Sequence, residues 1–302
     1  MITIGSRGSQ LALWQAHWVE ARLKEMGAEC RIEIIRTTGD KIQDVPLAKV
    51  GTKGLFTKEI EEALLDRSID VAVHSLKDMP TDLPEGLTLQ AIPEREDVRD
   101  ALIGRKLADL PAGAKVGTSS LRRAAQLRAA RPDLVIENIR GNLDTRLRKL
   151  DEGQYDAIVL AAAGLRRLGW AARITELMPV ETICPAVGQG ALAVETRNDQ
   201  SEGATMARKL DHLVSRQAVT AERAVLRAMG GGCQVPIGAY AQIDRDSLRL
   251  RAIVITPDGE RVIQGERTGA ASDADAIGAA LAGELLAGGA REILDAVYGA
   301  AT

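Results

Sequence analysis

The chain has 302 residues, enough for two or three domains of about 100–150 residues, and three are expected. Its hydrophobic content of 45% supplies packed cores, but aromatics make up only 2%, so those cores must be built from Leu, Ile, Val and Ala in α/β layers. A net charge of −3 argues against a nucleic-acid binder that relies on bulk positive charge, although arginines can still gather in one cleft.

Read from the N-terminus, residues 2–4 form a short strand, 10–26 a helix closed by Gly27, and 31–36 a second strand. Residues 48–56 combine two glycines with an apolar tip, the composition of either a solvated linker or a lid. A helix over 57–67 and a buried strand over 69–73 complete a βαβα pattern, which favours a parallel sheet covered by helices. The proline-bearing stretch 91–99 reads as a crossing to a second lobe. There the pattern returns as an internal duplication. Ile4-Gly5-Ser6-Arg7 before a helix is echoed by Val116-Gly117-Thr118-Ser119, and Asp70-Val71-Ala72-Val73 by Asp156-Ala157-Ile158-Val159. Between the echoes lie a strand over 134–139 and a helix over 142–150. Residues 186–195 form the second crossing, in which 191–196 is a strand returning to the first lobe. Two such lobes place a cleft at the ends of their strands, where open α/β sheets bind ligands.

After Asp211 the character changes. An amphipathic helix over 215–229 runs into Gly230-Gly231-Gly232-Cys233-Gln234-Val235-Pro236-Ile237-Gly238, and strands over 248–255 and 261–266 flank a turn at Asp258-Gly259. Helices over 273–286 and 291–298 complete a small α+β domain. The expected division is 1–93 with 190–208, then 98–186, then 212–302.

Cys30, Cys184 and Cys233 are odd in number and lack metal-ligand spacing, so neither a disulfide framework nor a metal site is expected. The N-terminus lacks the basic start and apolar run of a signal peptide, and no stretch of about 18 apolar residues occurs. A cytoplasmic protein in a reducing compartment, with no membrane or nucleic-acid partner, is expected.

Asp78 follows a buried strand at the edge where the cleft is expected. A strand-end acid can stabilise cationic intermediates and relay protons, whereas Asp78-Met79-Pro80 is equally turn-like. Arg7, Arg122, Arg123, Arg140 and Arg146 fall at strand-to-helix junctions or in first helical turns of the same edge. A single surface arginine is usually a solvated charge. Five at equivalent edges suit a ligand with many carboxylates, because guanidinium forks donate paired hydrogen bonds that lysine cannot. As edge residues serving a ligand, Arg122 and Arg140 are expected, when replaced by Leu, to impair function with little change in the melting temperature. Gly117-Thr118-Ser119-Ser120 adds hydroxyls and amides at a helix start, either an anion site or a plain N-cap. Gln189 suits a hinge or a ligand contact, and His17, His74 and His212 form no triad by spacing. Cys233, on a glycine-rich turn stiffened by Pro236, is either a buried structural cysteine or an attachment point.

The segment around Cys233, with Val73-His74-Ser75-Leu76-Lys77-Asp78-Met79-Pro80 and Gly117-Thr118-Ser119-Ser120-Leu121-Arg122-Arg123, resembles the porphobilinogen deaminase family. The likeness runs in ordered motifs from Ile4 to about Tyr240 and weakens beyond; its departures, Asp144 and Cys184, touch no proposed chemistry. It implies an α/β fold of two duplicated lobes like those of periplasmic binding proteins, plus a smaller C-terminal α+β domain that carries the cofactor. It implies a monomeric transferase of tetrapyrrole biosynthesis, without a metal, that joins four porphobilinogen molecules head to tail, loses one ammonia each time, and releases hydroxymethylbilane by hydrolysis. Cys233 would hold a dipyrromethane primer through a thioether, and Asp78 would hydrogen-bond pyrrole nitrogens. The matching arginines, with Ser9, Ser75, Lys77, Thr118, Ser119, Ser120 and Gln189, would bind cofactor and substrate. Lys53 and Phe56, the only phenylalanine, would act from a lid. Two rivals remain, a two-lobed anion-binding module, which leaves Cys233 unexplained, and a thiol-dependent acyl transferase, which lacks a histidine base.

Overall fold

The computed structural model describes residues 1–41, 55–230 and 235–299. β1 (Ile2–Ser6) and α1 (Gln10–Glu25) lead through β2 (Cys30–Ile34), a single turn α2 (Thr38–Lys41) and α3 (Lys58–Leu65) to β3 (Val71–Ser75) and β4 (Leu87–Ala91). Residues 92–99 have no regular structure. Then come β5 (Asp100–Ile103), β6 (Lys115–Gly117), α4 (Leu121–Ala130), β7 (Val135–Glu137), α5 (Leu143–Asp151), β8 (Ala157–Ala161), α6 (Ala162–Arg167) and β9 (Glu176–Leu177). The chain continues through β10 (Leu192–Arg197), α7 (Glu202–Arg208), α8 (Leu213–Ala228), β11 (Ile237–Asp244), β12 (Ser247–Ile255), β13 (Val262–Ala270), α9 (Ala274–Leu285) and α10 (Arg291–Gly299). It divides into two compact units, 1–96 with 191–217 and 97–190 with 218–302, so the C-terminal sheet groups with the second lobe.

The first unit holds a five-stranded sheet in the order β2-β1-β3-β10-β4. β1 runs parallel to β2 and β3, and the returning β10 is antiparallel to β3 and β4. Ala16, Val19 and Leu23 of α1 pack with Ile4, Val71, Val73 and Val194 on one face, while Ile60 and Leu64 of α3 pack with Ala72 on the other. The second lobe repeats this plan as β7-β6-β8-β5-β9, again with the fourth strand antiparallel to the third.

The duplication is visible atom by atom. Ile4 pairs with Val71 and Gly5 with Ala72, as Val116 pairs with Ala157 and Gly117 with Ile158. The Asp70 carboxylate accepts the Thr3 amide at 3.0 Å, and Asp156 accepts the Lys115 amide at 2.8 Å. A side chain on Gly5 would strike Ile69, and one on Gly117 would press on Tyr155. These contacts also correct the expected strand 69–73. Asp70 spends its side chain on β1, so the β3 ladder to β1 begins at Val71 and the strand extends to Ser75.

In the second unit, α8 and α9 cover one face of the antiparallel sheet β11-β12-β13. β12 alternates buried and partly exposed residues up to Arg251, then becomes buried on both faces over Ala252 to Ile255. The physical cause is α4, whose Ala125 packs with Cys184, Ile253 and Ile255 on the far side of that sheet. α9 approaches α8 so closely that a Cβ on Gly278 would overlap the Ala221 carbonyl and lie 2.6 Å from Ala224 Cβ. Gly to Ala inside a helix normally stabilises by about 1 kcal/mol. Here overpacking against backbone should win, and Gly278→Ala should destabilise by about 1–3 kcal/mol in denaturant melts. Unchanged stability would mean that α9 is free to shift. Among the described residues no helix is long and apolar enough to cross a membrane.

Candidate functional site

The first unit holds six of the expected residues, Arg7, Ser9, Phe56, Ser75, Lys77 and Asp78. Ser9 caps α1, its Oγ accepting the Ala12 amide at 3.3 Å. Arg7, on the link from β1 to α1, lays its guanidinium over the Phe56 ring 4.2 Å from the centroid, an arrangement favoured by the ring's negative face. Ser75 ends β3 and accepts a hydrogen bond from Gln15 Nε2 at 2.9 Å. Lys77 and Asp78 lie on a single 3-10 turn, Leu76–Asp78, tied down by the Leu76 amide to the Ala191 carbonyl at 3.0 Å. Leu76 and Met79 are buried on either side, which leaves Asp78 exposed. Arg7, Ser9, Gln15, Phe56, Ser75 and Asp78 line one cavity of about 70 Å³. Gln15 was missed by the sequence reading, although a glutamine beside Ala16 on the apolar stripe of α1 was a signal; it is 2% exposed.

Beside this cavity, which His74 also lines, three titratable groups are buried. His74 Nε2 lies 3.1 Å from Glu195 Oε2, and Glu61 of α3 faces them. Burial, reinforced by the charge of Glu195, raises the Glu61 carboxyl above its ordinary value. A raised carboxyl favours folding in its protonated form, so its contribution is complete below about pH 4.5 and is lost as pH rises through the folded value. Glu61→Gln should therefore raise the melting temperature at pH 7 by about 2–4 °C and leave it unchanged near pH 4. An equal shift at both pH values would remove the linkage.

In the second unit, Thr118 Oγ1 accepts the Ser120 amide at 3.2 Å, and Ser120 caps α4 by accepting the Arg123 amide at 3.4 Å. Ser119 between them is exposed. Arg122 and Arg123 do not stand at a solvated edge; they are 3% and 6% exposed. Both pair with Asp100, a fully buried residue at the start of β5 that the sequence reading passed over. Arg122 also donates to the Cys184 carbonyl, and Arg123 to that of Val159. The expectation that Arg122→Leu spares stability is thereby corrected, since removing one partner of a buried charge cluster is costly. Gln189 is buried as well, donating to the Val98 carbonyl at 2.7 Å and to Asp100 at 2.8 Å, so it fastens the two crossing segments together. Two guanidiniums against one carboxylate leave the cluster an excess positive charge, and Arg122 Nε is buried without a hydrogen-bond partner. Arg146 and Arg140 are half-buried, and Arg146 Nε donates to the Gly141 carbonyl at 2.8 Å.

Burial pushes the Cys184 thiol up to about 12 and also raises that of Cys30, so neither is poised as a thiolate. Cys233 and Lys53 lie outside the described residues.

The chain is thus a duplicated α/β protein, with an exposed strand-end acid in the first unit and a buried arginine pair at a helix start in the second. Residues 2–205 match the family model for the porphobilinogen deaminase dipyrromethane cofactor binding domain, and residues 216–287 match the model for the C-terminal domain of porphobilinogen deaminase. A porphobilinogen deaminase from Syntrophobacter fumaroxidans is 51% identical over 303 aligned positions, covering 99% of this chain and 98% of the relative. The chain belongs to the porphobilinogen deaminase family. Among solved structures it is similar to a periplasmic substrate-binding protein of an ABC transporter from Coxiella burnetii, at 14% identity and a TM-score of 0.43, over 70% of this chain and 91% of that one. It is also similar to a methionine-bound nutrient binding protein from Burkholderia cenocepacia, at 13% identity and a TM-score of 0.43, over 69% and 92%.

Proposed function

We propose that this chain, as a porphobilinogen deaminase, condenses four porphobilinogen molecules into hydroxymethylbilane on a dipyrromethane held by Cys233, acting as a cytoplasmic monomer. The observation that carries the reading is Asp78, exposed in a cavity with Arg7, Ser9, Gln15 and Ser75 at the end of β3. The surplus positive charge around Arg122 and Arg123 fits a cofactor rich in carboxylates, with Cys233 as its anchor and Arg140, Arg146, Ser119 and Ser120 as further donors. When bound, dipyrromethane supplies the nucleophilic pyrrole carbon from which the chain starts.

The protein's own groups do the rest. Porphobilinogen that loses ammonia becomes a cationic azafulvene, and the Asp78 carboxylate stabilises the positive charge on pyrrole nitrogen. Leu76 and Met79 fix the turn that aims this carboxylate, so little reorganisation is needed during reaction. Gln15 holds the Ser75 hydroxyl in place beside it. Phe56 offers a flat apolar face to a pyrrole, Arg7 and Lys77 offer charge to its acetate and propionate arms, and Lys53 acts from the neighbouring segment. Purified protein given porphobilinogen should release four ammonia molecules per linear tetrapyrrole, measured by an ammonia assay alongside product absorbance. Substrate binding without ammonia release would favour the non-catalytic anion-binding module.

A further inference from the structure

Asp100 is ion-paired with both arginines of the α4 start and accepts hydrogen bonds from Arg123, while its Oδ2, facing Arg122, is buried without a hydrogen-bond partner. Arg122 Nη1 lies 2.8 Å from Oδ2, while Arg123 places Nε at 2.9 Å and Nη2 at 2.6 Å from Oδ1. Gln189 adds a third donor at 2.8 Å, and its own Oε1 accepts from Arg123 Nη2 at 3.3 Å. The fork of Arg123 is thus spent on the protein, whereas Arg122 keeps Nε unpartnered. Without Asp100, two positive charges would be buried side by side, and any carboxylate reaching them would be gripped with the energy of two. A processive enzyme needs the opposite, because each carboxylate must be released as the chain lengthens and moves on.

On the functional reading above, we propose that Asp100 is a positioning residue that sets the carboxylate affinity of the Arg122–Arg123 pair by cancelling one of its two charges. Arg123 then serves as a strut between Asp100 and Gln189, and Arg122 as the donor toward an anionic pyrrole arm. Burial would raise the Asp100 carboxyl, but the two guanidiniums outweigh it and hold it well below the usual carboxylate range. The cancelling charge is therefore present throughout the neutral range.

The test compares wild type, Asp100→Asn and the double variant Asp100→Asn with Arg123→Gln, which restores the wild-type net charge of the cluster. All are assayed as cofactor-loaded enzyme for KM and kcat with porphobilinogen, for melting temperature, and by intact mass for partly extended chains. Asp100→Asn should lower KM and kcat together, each by about tenfold, and accumulate partly extended chains. The double variant should return KM to within about threefold of wild type and shed those chains. If Asp100→Asn does not fold, the double variant still decides, since a purely packing role for Asp100 predicts no rescue. Unchanged KM and no accumulated chains in a folded Asp100→Asn, or a double variant no better than the single, would overturn the inference. Wild type that fails to turn over porphobilinogen would instead overturn the functional reading.

Discussion

Asp78→Asn should keep the fold and the attached cofactor but lower kcat by about 10²–10³-fold, the scale set by removing one preorganised charge-stabilising group. Asparagine preserves size and one acceptor, so the change isolates charge. Asp78 is exposed, and the turn beneath it is anchored by Leu76 and Met79 rather than by its own side chain, so the melting temperature should stay within about 2 °C of wild type. A steady-state assay and a thermal melt on one preparation check both halves. Near-normal kcat would remove Asp78 from its role, and a collapse in stability would make it a structural turn residue.

The intact protein should weigh more than its sequence by two porphobilinogen units less two ammonia molecules, and Cys233→Ser should lose the added mass and all turnover. A thioether withstands acid and reducing agents, so the mass should persist under denaturing, reducing conditions and be accompanied by colour with an aldehyde reagent for pyrroles. Cys184→Ser should retain the added mass, because a buried thiol pushed up to about 12 is a poor nucleophile. Fully active wild type at its bare sequence mass would rule out a covalent primer and reopen the acyl-transfer and binding-module readings.

Most regular elements could be read from local pattern. The helix expected over 10–26 is α1, and the hairpin around Asp258-Gly259 joins β12 to β13. β12 was legible because its alternation and its closing apolar run both survive in the sequence. β4 and β5 escaped notice as strands. Each is four or five residues long and bounds an extended crossing, and their pairing partners, β10 and β8, lie far along the chain. The end of the long helix was similarly soft: α8 begins two residues before the expected 215, with Leu213 and Val214 exposed on its first turn.

The sequence by itself determined the α/β lobes, their duplication and the family, because periodicity, repeat order and the motifs around Asp78 and Cys233 are local properties. Only the tertiary structure decided what those residues touch. Arg122 and Arg123 read as edge donors on a helix start, yet Asp100, more than twenty residues earlier, draws both inward, and Gln189 joins them from the other crossing. His74, unassigned by spacing, meets Glu195 across β3 and β10 because antiparallel pairing sets Ala193 opposite His74 and Glu195 opposite Ala72 on the same face. Burial of charge is a property of the assembled layers, since a carboxylate and a guanidinium far apart in the chain acquire their mutual energy only once water has been removed between them.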